Sequence, residues 1–432
     1  MATCVTTRRS VLLAGTIAGV LLVLPAFAQQ PPASAPPASA PPAATPAAPP
    51  ALPPGSPLIG RPDGNAAAAK LAPVAPPPLP AAADKLPTAK LKLPPGFNIE
   101  VYASGIANTR SLRVGDKGTV FVGTRFGNKV TAIVKKDGKT EIKTVAEGLY
   151  RPNGLAYHKG ALYIAELSQI SKIDNVEANL DKPQKPTVIY KDLPKDEAHG
   201  WKFIAIGPDE KLYLEVGQPG NNVLHSDAHG QIRRINLDGT GAEVFARGVR
   251  HSVGFDWNPV TKQLYFSDNG RDWLSEDVPQ DELNRVTKAG QHFGAPYCYQ
   301  GNILDPEFGW GRSCSEFVAP VMLTGPHSAG LGLRFYTGKM FPGKYKNAIF
   351  LARHGSWNRS HKFGGDVIAI FLNKDGTVKS SEPFITGFLE NNNYIGRPVD
   401  VEFMADGSML VSDDWNGAIY RITYGKAQVA GR

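Results

Sequence analysis

The chain has 432 residues, and its 47 basic and 39 acidic residues give a formal net charge of +8. This excess is moderate and is not gathered into runs, so nucleic-acid binding is not predicted. Residues 1–28 combine a basic pair, Arg8 and Arg9, with an apolar run and an Ala-Phe-Ala cleavage pattern that ends at Ala28. They predict a Sec or twin-arginine signal peptide, and therefore a periplasmic or secreted protein. The apolar run is short for a membrane span, and no later segment resembles one.

The segment 29–88 consists almost entirely of Ala, Pro, Ser and Gly. Such a composition cannot bury a core, so it predicts an extended, disordered linker. The remainder, 89–432, is long for one ordinary domain, which indicates either two domains or a repeat architecture.

One phrase recurs along 89–432: a short apolar strand, a turn with Gly, Asp or Pro, and a second apolar strand rich in Tyr, Leu and Val. Its six copies occupy 112–122, 154–166, 203–217, 253–270, 331–355 and 399–414. Further hairpin patterns begin between or after them, at Gly230, Gly365 and Gly417. Two hairpins per repeat predict an all-β fold, a six-bladed β-propeller of four-stranded antiparallel blades. The alternative is a β-sandwich, whose strands do not repeat one phrase at this spacing.

Basic residues stand near the start of the first strand in most copies. They are Arg110, Arg151, Lys202, Arg250, His251 and Arg397. The first strand of each propeller blade lines the central channel, so we expect these side chains to meet at one mouth. Like charges brought together cost energy unless an anion neutralises them, and Arg suits carboxylate or phosphate groups. The ring therefore predicts a compact polyanionic ligand, although any one member is also explained by an ordinary ion pair.

Five segments carry a resemblance to a known family: HGWKFIAIGPDEKLYLEVG, RGVRHSVGFDWNP, LYFSDNGRDWL, FPGKYKNAIFLARHGSWNRS and GRPVDVEFMADGSMLVSDD. They resemble the soluble glucose and sorbosone dehydrogenases that depend on pyrroloquinoline quinone (PQQ), and the fourth looks like the sorbosone branch in particular. The resemblance extends over 93–425. It implies oxidation of a sugar or related aldose, aldehyde or polyol by hydride transfer to PQQ, with calcium beside the cofactor.

The resemblance also implies roles for individual residues. His199 corresponds to the general base that takes the substrate hydroxyl proton. The backbone carbonyls of Gly270 and Arg271 correspond to the calcium ligands. Arg250 and Arg397 correspond to family residues that hold PQQ, and Arg353 or His354 is the candidate in the fifth blade. Together with the ring and the turn, the predicted cofactor-binding residues are Arg110, Arg151, Lys202, Arg250, His251, Asn269, Arg353 and Arg397.

The sequence departs from the family pattern around the base and the calcium turn. Gln218 stands where the family has an Asp that supports the base, and Ala198 replaces a second Asp. A Gln could orient the imidazole but would not stabilise its cation, and Asp196 and Glu197 are near enough in sequence to compensate. Arg271 replaces a Pro at the calcium turn. The glucose specificity of the relatives is therefore not transferred to this chain.

Cys298 and Cys314 are the cysteines that remain after the signal peptide. In an exported protein they predict one disulfide that closes a long loop, with free thiols or a metal site as the alternatives. The chain has no CxxCH motif and therefore no covalent c-type haem, so electrons would pass to an external cytochrome or quinone.

Two other functions remain open on the same fold. A calcium-dependent sugar lactonase would use carboxylates and amides such as Glu166, Asn153 and Asp413, although a ring of cations repels a metal. A non-catalytic propeller would bind a partner on its rim, and this role needs neither the ring nor His199.

Overall fold

The structure is a computed structural model and describes residues 79–224 and 226–425. The predicted signal peptide and most of the predicted linker lie outside the described residues. Two 3-10 turns, Ala83–Lys85 and Pro87–Lys90, lead into the domain. Within the described part of the chain, no helix is long and apolar enough to cross a membrane.

Six antiparallel sheets form the blades of a propeller, which confirms the predicted fold class. Strand β1 (Phe97–Ser104) precedes the first blade. The first blade contains β2 (Thr109–Val114), β3 (Val120–Thr124), β4 (Lys129–Lys136) and β5 (Lys139–Glu147). The second contains β6 (Gly154–His158), β7 (Ala161–Ala165), β8 (Ile170–Ile173) and β9 (Thr187–Tyr190). The third contains β10 (Ile204–Ile206), β11 (Leu212–Val216), β12 (Gln231–Ile235) and β13 (Glu243–Arg247).

The fourth blade is interrupted by an insertion between its last two strands. It contains β14 (Phe255–Trp257), β15 (Leu264–Asp268) and β16 (Gln280–Val286), then the inserted β17 (Gln291–His292), β18 (Cys298–Tyr299) and β19 (Ile303–Leu304), and finally β20 (Met322–Pro326). The fifth blade contains β21 (Gly330–Phe335), β22 (Ile349–Arg353), β23 (Asp366–Leu372) and β24 (Val378–Ile385). A hairpin of β25 (Leu389–Glu390) and β26 (Asn393–Tyr394) leads to β27 (Pro398–Phe403), β28 (Met409–Asp413) and β29 (Ala418–Tyr424) of the sixth blade. Short 3-10 turns also occur at Val176–Ala178, Cys314–Glu316 and Gly343–Tyr345.

The sixth blade is assembled from both ends of the domain. The segment from Gly417 forms β29, which pairs with β28 on one side, but its outer partner is the distant β1, with Phe97 opposite Tyr424. Sequence periodicity identifies a strand but not a partner more than 300 residues away. A second difference is in the third blade, where β17 adds a short parallel strand beside β13.

The core lies within and between the blades. In five blades every residue of the second strand is buried: β3, β7, β11, β15 and β28. The innermost strands of neighbouring blades contact each other. For example, β21 contacts both β14 and β27. A Cβ atom on Gly254 would collide with the carbonyl oxygen of Leu331, and one on Gly332 would collide with Asp400, so both close approaches require glycine. This packing brings the leading ends of the innermost strands together around one space.

Candidate active site

A cavity of about 310 Å³ lies at the leading ends of the innermost strands. Four guanidinium groups and two carboxylates line it: Arg110, Arg125, Arg250, Arg397, Asp272 and Asp281. Because cations outnumber anions in a confined space, the cavity favours an anionic ligand.

A buried network fixes the cations contributed by the first and sixth blades. The Arg110 guanidinium donates to the Asp414 carboxylate at 2.9 Å, and His354 Nε2 donates to the other oxygen of that carboxylate at 2.8 Å. Arg397 Nε donates to the carbonyl oxygen of His354 at 3.1 Å. Burial, and then Arg397, lower the pKa of His354 to about 4, so this ring is a neutral donor.

Arg250 is held against the turn that follows β15. Its guanidinium donates to the Asp272 carboxylate at 3.0 Å and to the carbonyl oxygen of Asn269 at 2.9 Å. It also donates to the side-chain oxygen of Asn221 at 3.0 Å, which in turn accepts the backbone N–H of Asp272 at 2.7 Å. The predicted calcium turn and a predicted cofactor cation therefore form one rigid unit.

Arg125 lines the cavity but was not predicted from the sequence. Its guanidinium lies 3.7 Å from the centroid of the Trp201 ring, and its Nε is buried without a hydrogen-bond partner. Burial, and then Arg110, lower its pKa to about 9. Arg125 follows β3, the second strand of a blade, and the trailing end of that strand lies at the same mouth as the leading end of β2. A search of both strand ends would have found it.

His199 projects into the cavity with its two ring nitrogens assigned to different roles. Nδ1 lies 2.9 Å from the carbonyl oxygen of Gln218, and a carbonyl only accepts, so Nδ1 carries the hydrogen and Nε2 keeps a lone pair. The ring stacks on His251, with centroids 4.5 Å apart and an interplanar angle of 27°. Burial, and then Arg250, lower the pKa of His199 to about 3, so the imidazole is neutral near pH 7.

The side chains of Gln218, Asp196 and Glu197, which were considered as supports for His199, do not hydrogen-bond to its ring. Gln218 orients the imidazole through its backbone carbonyl, while its side-chain oxygen and nitrogen are buried without partners. Asp196 and Glu197 do not compensate for the missing Asp. Asp196 lies 2.9 Å from His229, and Glu197 pairs with Arg151 at 2.8 Å.

Arg151, Lys202 and Arg353 do not line the cavity, so the expected convergence is wrong for these three residues. Arg151 pairs instead with Glu197, an exposed carboxylate. Lys202 is buried and donates to the carbonyl oxygen of Gly200 at 2.7 Å, and burial lowers its pKa to about 8. Arg353 pairs across β22 and β23 with Asp366, at 2.7 Å from Nε. A local carboxylate or carbonyl partner competes with the cavity in each case, and His354 takes the position in the fifth blade.

The turn proposed to bind calcium lies in the cavity wall. The Gly270 N–H donates to the Asp281 carboxylate at 2.8 Å, and the side-chain oxygen of Asn269 is buried without a partner. No group of three or more His, Cys, Asp or Glu residues within 79–224 and 226–425 is arranged to hold a metal ion. A calcium ion at this turn would therefore depend on backbone and amide oxygens, which are ligands that calcium accepts.

The predicted disulfide between Cys298 and Cys314 is confirmed, with Cα atoms 5.6 Å apart. The loop that it closes packs against the turn that is predicted to bind calcium. The Arg271 side chain, 1% exposed, points into this loop and pairs with Asp305 at 2.6 Å and Glu307 at 3.1 Å. Arg271 therefore links the inserted loop to the cavity wall.

The residues considered for a lactonase serve structural hydrogen bonds. Glu166 accepts a backbone N–H at 2.7 Å, Asn153 accepts from Arg110 at 3.0 Å, and Asp413 accepts the backbone N–H of Arg397 at 2.9 Å. None of Glu166, Asn153 and Asp413 lines the cavity.

Several further cavity residues were assigned no role from the sequence, although most lie in the segments that carry the family resemblance. They are Trp201, Asp272, His327, Trp357 and Asn358. They lie in loops rather than at one repeated position, so only the packing of the blades brings them to the mouth.

Comparisons with known proteins place the chain among enzymes. A family model described as Glucose / Sorbosone dehydrogenase matches residues 163–357, and a model described as TrAA12-like matches 309–425. An uncharacterised protein of Borreliella burgdorferi is 34% identical over 355 residues, which cover 78% of this chain and 92% of that protein. The chain belongs to the glucose/sorbosone dehydrogenase family.

One protein with a named activity matches part of this chain, and another shares its fold. Quinoprotein glucose dehydrogenase B of Acinetobacter calcoaceticus is 24% identical over 256 residues, covering 45% of this chain and 52% of that protein, so the match spans about half its length. The holo PQQ domain of pyranose dehydrogenase from Coprinopsis cinerea shares the fold, with a TM-score of 0.66, 18% identity, and coverage of 77% of this chain and 97% of that domain. Family membership supports an oxidoreductase of the PQQ type.

Proposed function

We propose that this protein is an exported, PQQ- and calcium-dependent dehydrogenase that oxidises a sugar or a related aldose, aldehyde or polyol by hydride transfer. The observation that carries the proposal is the free Nε2 lone pair of His199 inside a cavity lined by four guanidinium groups. A neutral base beside an anion-binding wall suits removal of a hydroxyl proton from a substrate held against an anionic cofactor.

The cavity residues fit PQQ, which is a polyanionic quinone. Arg125 has an unpaired Nε in the cavity wall, and carboxylates are its natural acceptors. The carboxylates of PQQ would be held by four guanidinium groups, with His251 and Asn269 beside them. The four are those of Arg110, Arg125, Arg250 and Arg397. The carbonyl oxygens of Gly270 and Arg271 would hold calcium, with the unpaired oxygen of Asn269 nearby. PQQ, when bound, supplies the hydride acceptor.

The proton transfer depends on residues of this chain. His199 accepts the hydroxyl proton at Nε2, and the Gln218 carbonyl holds the required tautomer. The stacked ring of His251 restricts rotation of the base. Burial, and then Arg250, disfavour the imidazolium that forms.

Export and electron transfer complete the proposal. The signal-peptide pattern and the disulfide both support an oxidising compartment. The reaction then requires an external acceptor, a cytochrome or a quinone, because the sequence has no haem-attachment motif.

Reconstitution of the metal-stripped mature domain tests this function. Dye reduction should require added PQQ and calcium, with aldoses, sorbosone and polyols as the substrate panel. We expect His199→Ala to lower kcat by about 10²- to 10⁴-fold while PQQ affinity, measured by spectroscopic titration, stays unchanged. The matched control is His361→Ala, because His361 is exposed and lies outside the cavity. Failure of the wild-type protein to bind PQQ would overturn the proposal and favour the lactonase or partner-binding functions.

A further inference from the structure

A basic groove lies at the end of the propeller opposite the active-site cavity. It has a volume of about 750 Å³ and is lined by residues of the fourth and fifth blades. Three connections form its walls: the turn between β14 and β15, the segment between β21 and β22, and the hairpin of β23 and β24. Each connection follows the trailing end of its first strand, whereas the cavity lies at the leading ends of the innermost strands.

Five exposed lysines border this groove, and we call them the basic face. They are Lys262, Lys344, Lys346, Lys374 and Lys379. The three connections and β24 contain two carboxylates, Glu382 and Asp375. Glu382 pairs with Lys344 at 2.9 Å, and Asp375 accepts the backbone N–H and the hydroxyl of Thr377. The other four lysines therefore have no carboxylate partner within the described part of the chain.

In the second and third blades, lysines at the same end of the propeller pair with carboxylates. Lys159 pairs with Glu210 at 2.7 Å, and Lys211 pairs with Glu243 at 3.1 Å. Unpaired like charges on one face repel each other, so the fold gains no stability from them. Their concentration on the fourth and fifth blades therefore indicates an anionic partner.

Hydrogen bonds between the two blades fix the shape of the groove. The Tyr265 hydroxyl donates to the carbonyl oxygen of Gly376 at 2.6 Å, and Arg285 donates to that of Asp375 at 2.8 Å. Both bonds hold the β23–β24 turn against the fourth blade. Val260 lies in the opposite wall and is 71% exposed. The basic face is thus a firmly held surface that combines lysines with an exposed apolar side chain.

The composition of the basic face distinguishes between a lipid and a protein partner. Protein–protein interfaces are depleted in lysine and enriched in aromatic residues and arginine. Anionic phospholipid headgroups attract lysines by charge, and exposed apolar side chains enter the headgroup region. The lysines and Val260 therefore match a lipid surface better than an acidic protein.

We propose that the basic face docks the protein on an anionic phospholipid surface. Because the active-site cavity lies at the other end of the propeller, its mouth then opens toward the solvent. The docking surface shares no residue with the cavity and is independent of the proposed function.

Vesicle binding by the purified mature protein tests the docking surface. We expect the protein to sediment with phosphatidylcholine vesicles that contain about 30% phosphatidylglycerol but not with phosphatidylcholine alone, and added salt should release it. The triple variant Lys262→Gln, Lys374→Gln and Lys379→Gln should lower the partition coefficient about 100-fold, at about fivefold per lysine. The matched control is Lys136→Gln with Lys139→Gln, together with Lys185→Gln. It removes the same charge from exposed positions outside the basic face and should change partitioning less than about threefold.

A fluorescent label reports which end of the protein meets the lipid. Cys298 and Cys314 form a disulfide, so an added cysteine is labelled alone. An environment-sensitive dye on Val260→Cys should shift to the blue with anionic vesicles. The same dye on Leu224→Cys should not shift, because Leu224 is 63% exposed in the loop after β11, on the mouth side.

Three results would overturn the docking proposal. The first is equal sedimentation with both kinds of vesicle, which needs no variant. The second is an equal loss in the two triple variants, which would show an effect of net charge alone. The third is retention on polyglutamate without binding to anionic vesicles, which would favour an acidic protein partner. PQQ binding and dye reduction test the proposed function separately.

Discussion

At the scale of single residues, the roles of polar groups in the cavity are set by partners that can only accept. The Gln218 carbonyl determines which nitrogen of His199 is protonated, and the Asp272 carboxylate determines which atom of the Asn358 amide is the donor. The proposed base, His199, is thus oriented without an adjacent carboxylate. Its electrostatic surroundings are dominated by burial and by Arg250, both of which disfavour a positive charge on the ring.

This environment predicts an unusual pH dependence. The pKa of His199 is lowered to about 3 from an ordinary value of 6.5, and only the neutral ring can accept a proton. Activity should therefore persist as the pH falls through 6.5 and should be lost only closer to the lowered pKa. Bound PQQ is anionic and raises the pKa of His199 in part, so the loss of activity should lie between these two values. The measurement is kcat/KM from about pH 4 to pH 8, with the fold followed by circular dichroism as the control. An acidic limb centred near 6.5 would show instead that the base is solvated and unperturbed.

At the scale of elements, the insertion between β16 and β20 supports the cavity from outside. Its disulfide closes a loop with a sequence separation of 16 residues, and Arg271 connects this loop to the turn at Gly270. If the loop moved away, the buried Arg271 guanidinium would lose its carboxylate partners, and an unpaired buried charge costs free energy. We therefore expect the loop and the turn to be stable only together.

Removal of the disulfide tests this coupling. Cys298→Ser with Cys314→Ser should lower the free energy of unfolding by about 3 kcal/mol, because the unfolded chain gains conformational freedom. Calcium should also raise the melting temperature of the double variant less than that of the wild type, since the turn is less firmly held. Urea unfolding and thermal melts with and without calcium measure both effects, and Ser315→Ala at an exposed position of the same loop is the control. An unchanged urea midpoint would contradict the structural role of the bond.

At the scale of the whole molecule, the propeller is closed by pairing β1 with β29. Phe97 packs its ring against Phe341, Phe384 and Tyr424, with centroids 4.8, 4.9 and 4.9 Å away. These contacts join the first strand of the domain to the fifth and sixth blades. Closure of the ring in turn holds the leading ends of the innermost strands around the cavity.

Phe97→Ala should therefore destabilise the entire domain. We expect a loss of about 3 kcal/mol in the free energy of unfolding, because the ring leaves a cavity among packed aromatic side chains. Phe126→Ala is the matched control, since that ring is 46% exposed and should cost less than about 1 kcal/mol. Denaturant titration followed by Trp fluorescence measures both variants. Equal effects of the two substitutions would show that the β1 junction is not a main source of stability.

By itself, the sequence determined the blade hairpins and the type of site. Strand alternation and Gly- or Asp-containing turns are local features, so the six repeated hairpins were predictable without contacts. Arg110, Arg250, Arg397 and His199 were found because they recur at one position of the repeat or match a family motif. Each of these four residues lines the cavity.

Only the tertiary structure decided how side chains at the mouth are shared among competing partners. Arg151 and Arg353 stand at predicted positions but pair with Glu197 and Asp366, while Arg125 and Asn358 line the cavity although neither stands at the leading end of an innermost strand. The closing pair β1–β29 was likewise hidden, because its strands lie at opposite ends of the domain. The physical reason is common to these cases: local pattern specifies a strand, whereas ion pairs, amide orientation and ring closure depend on atoms brought together from distant blades.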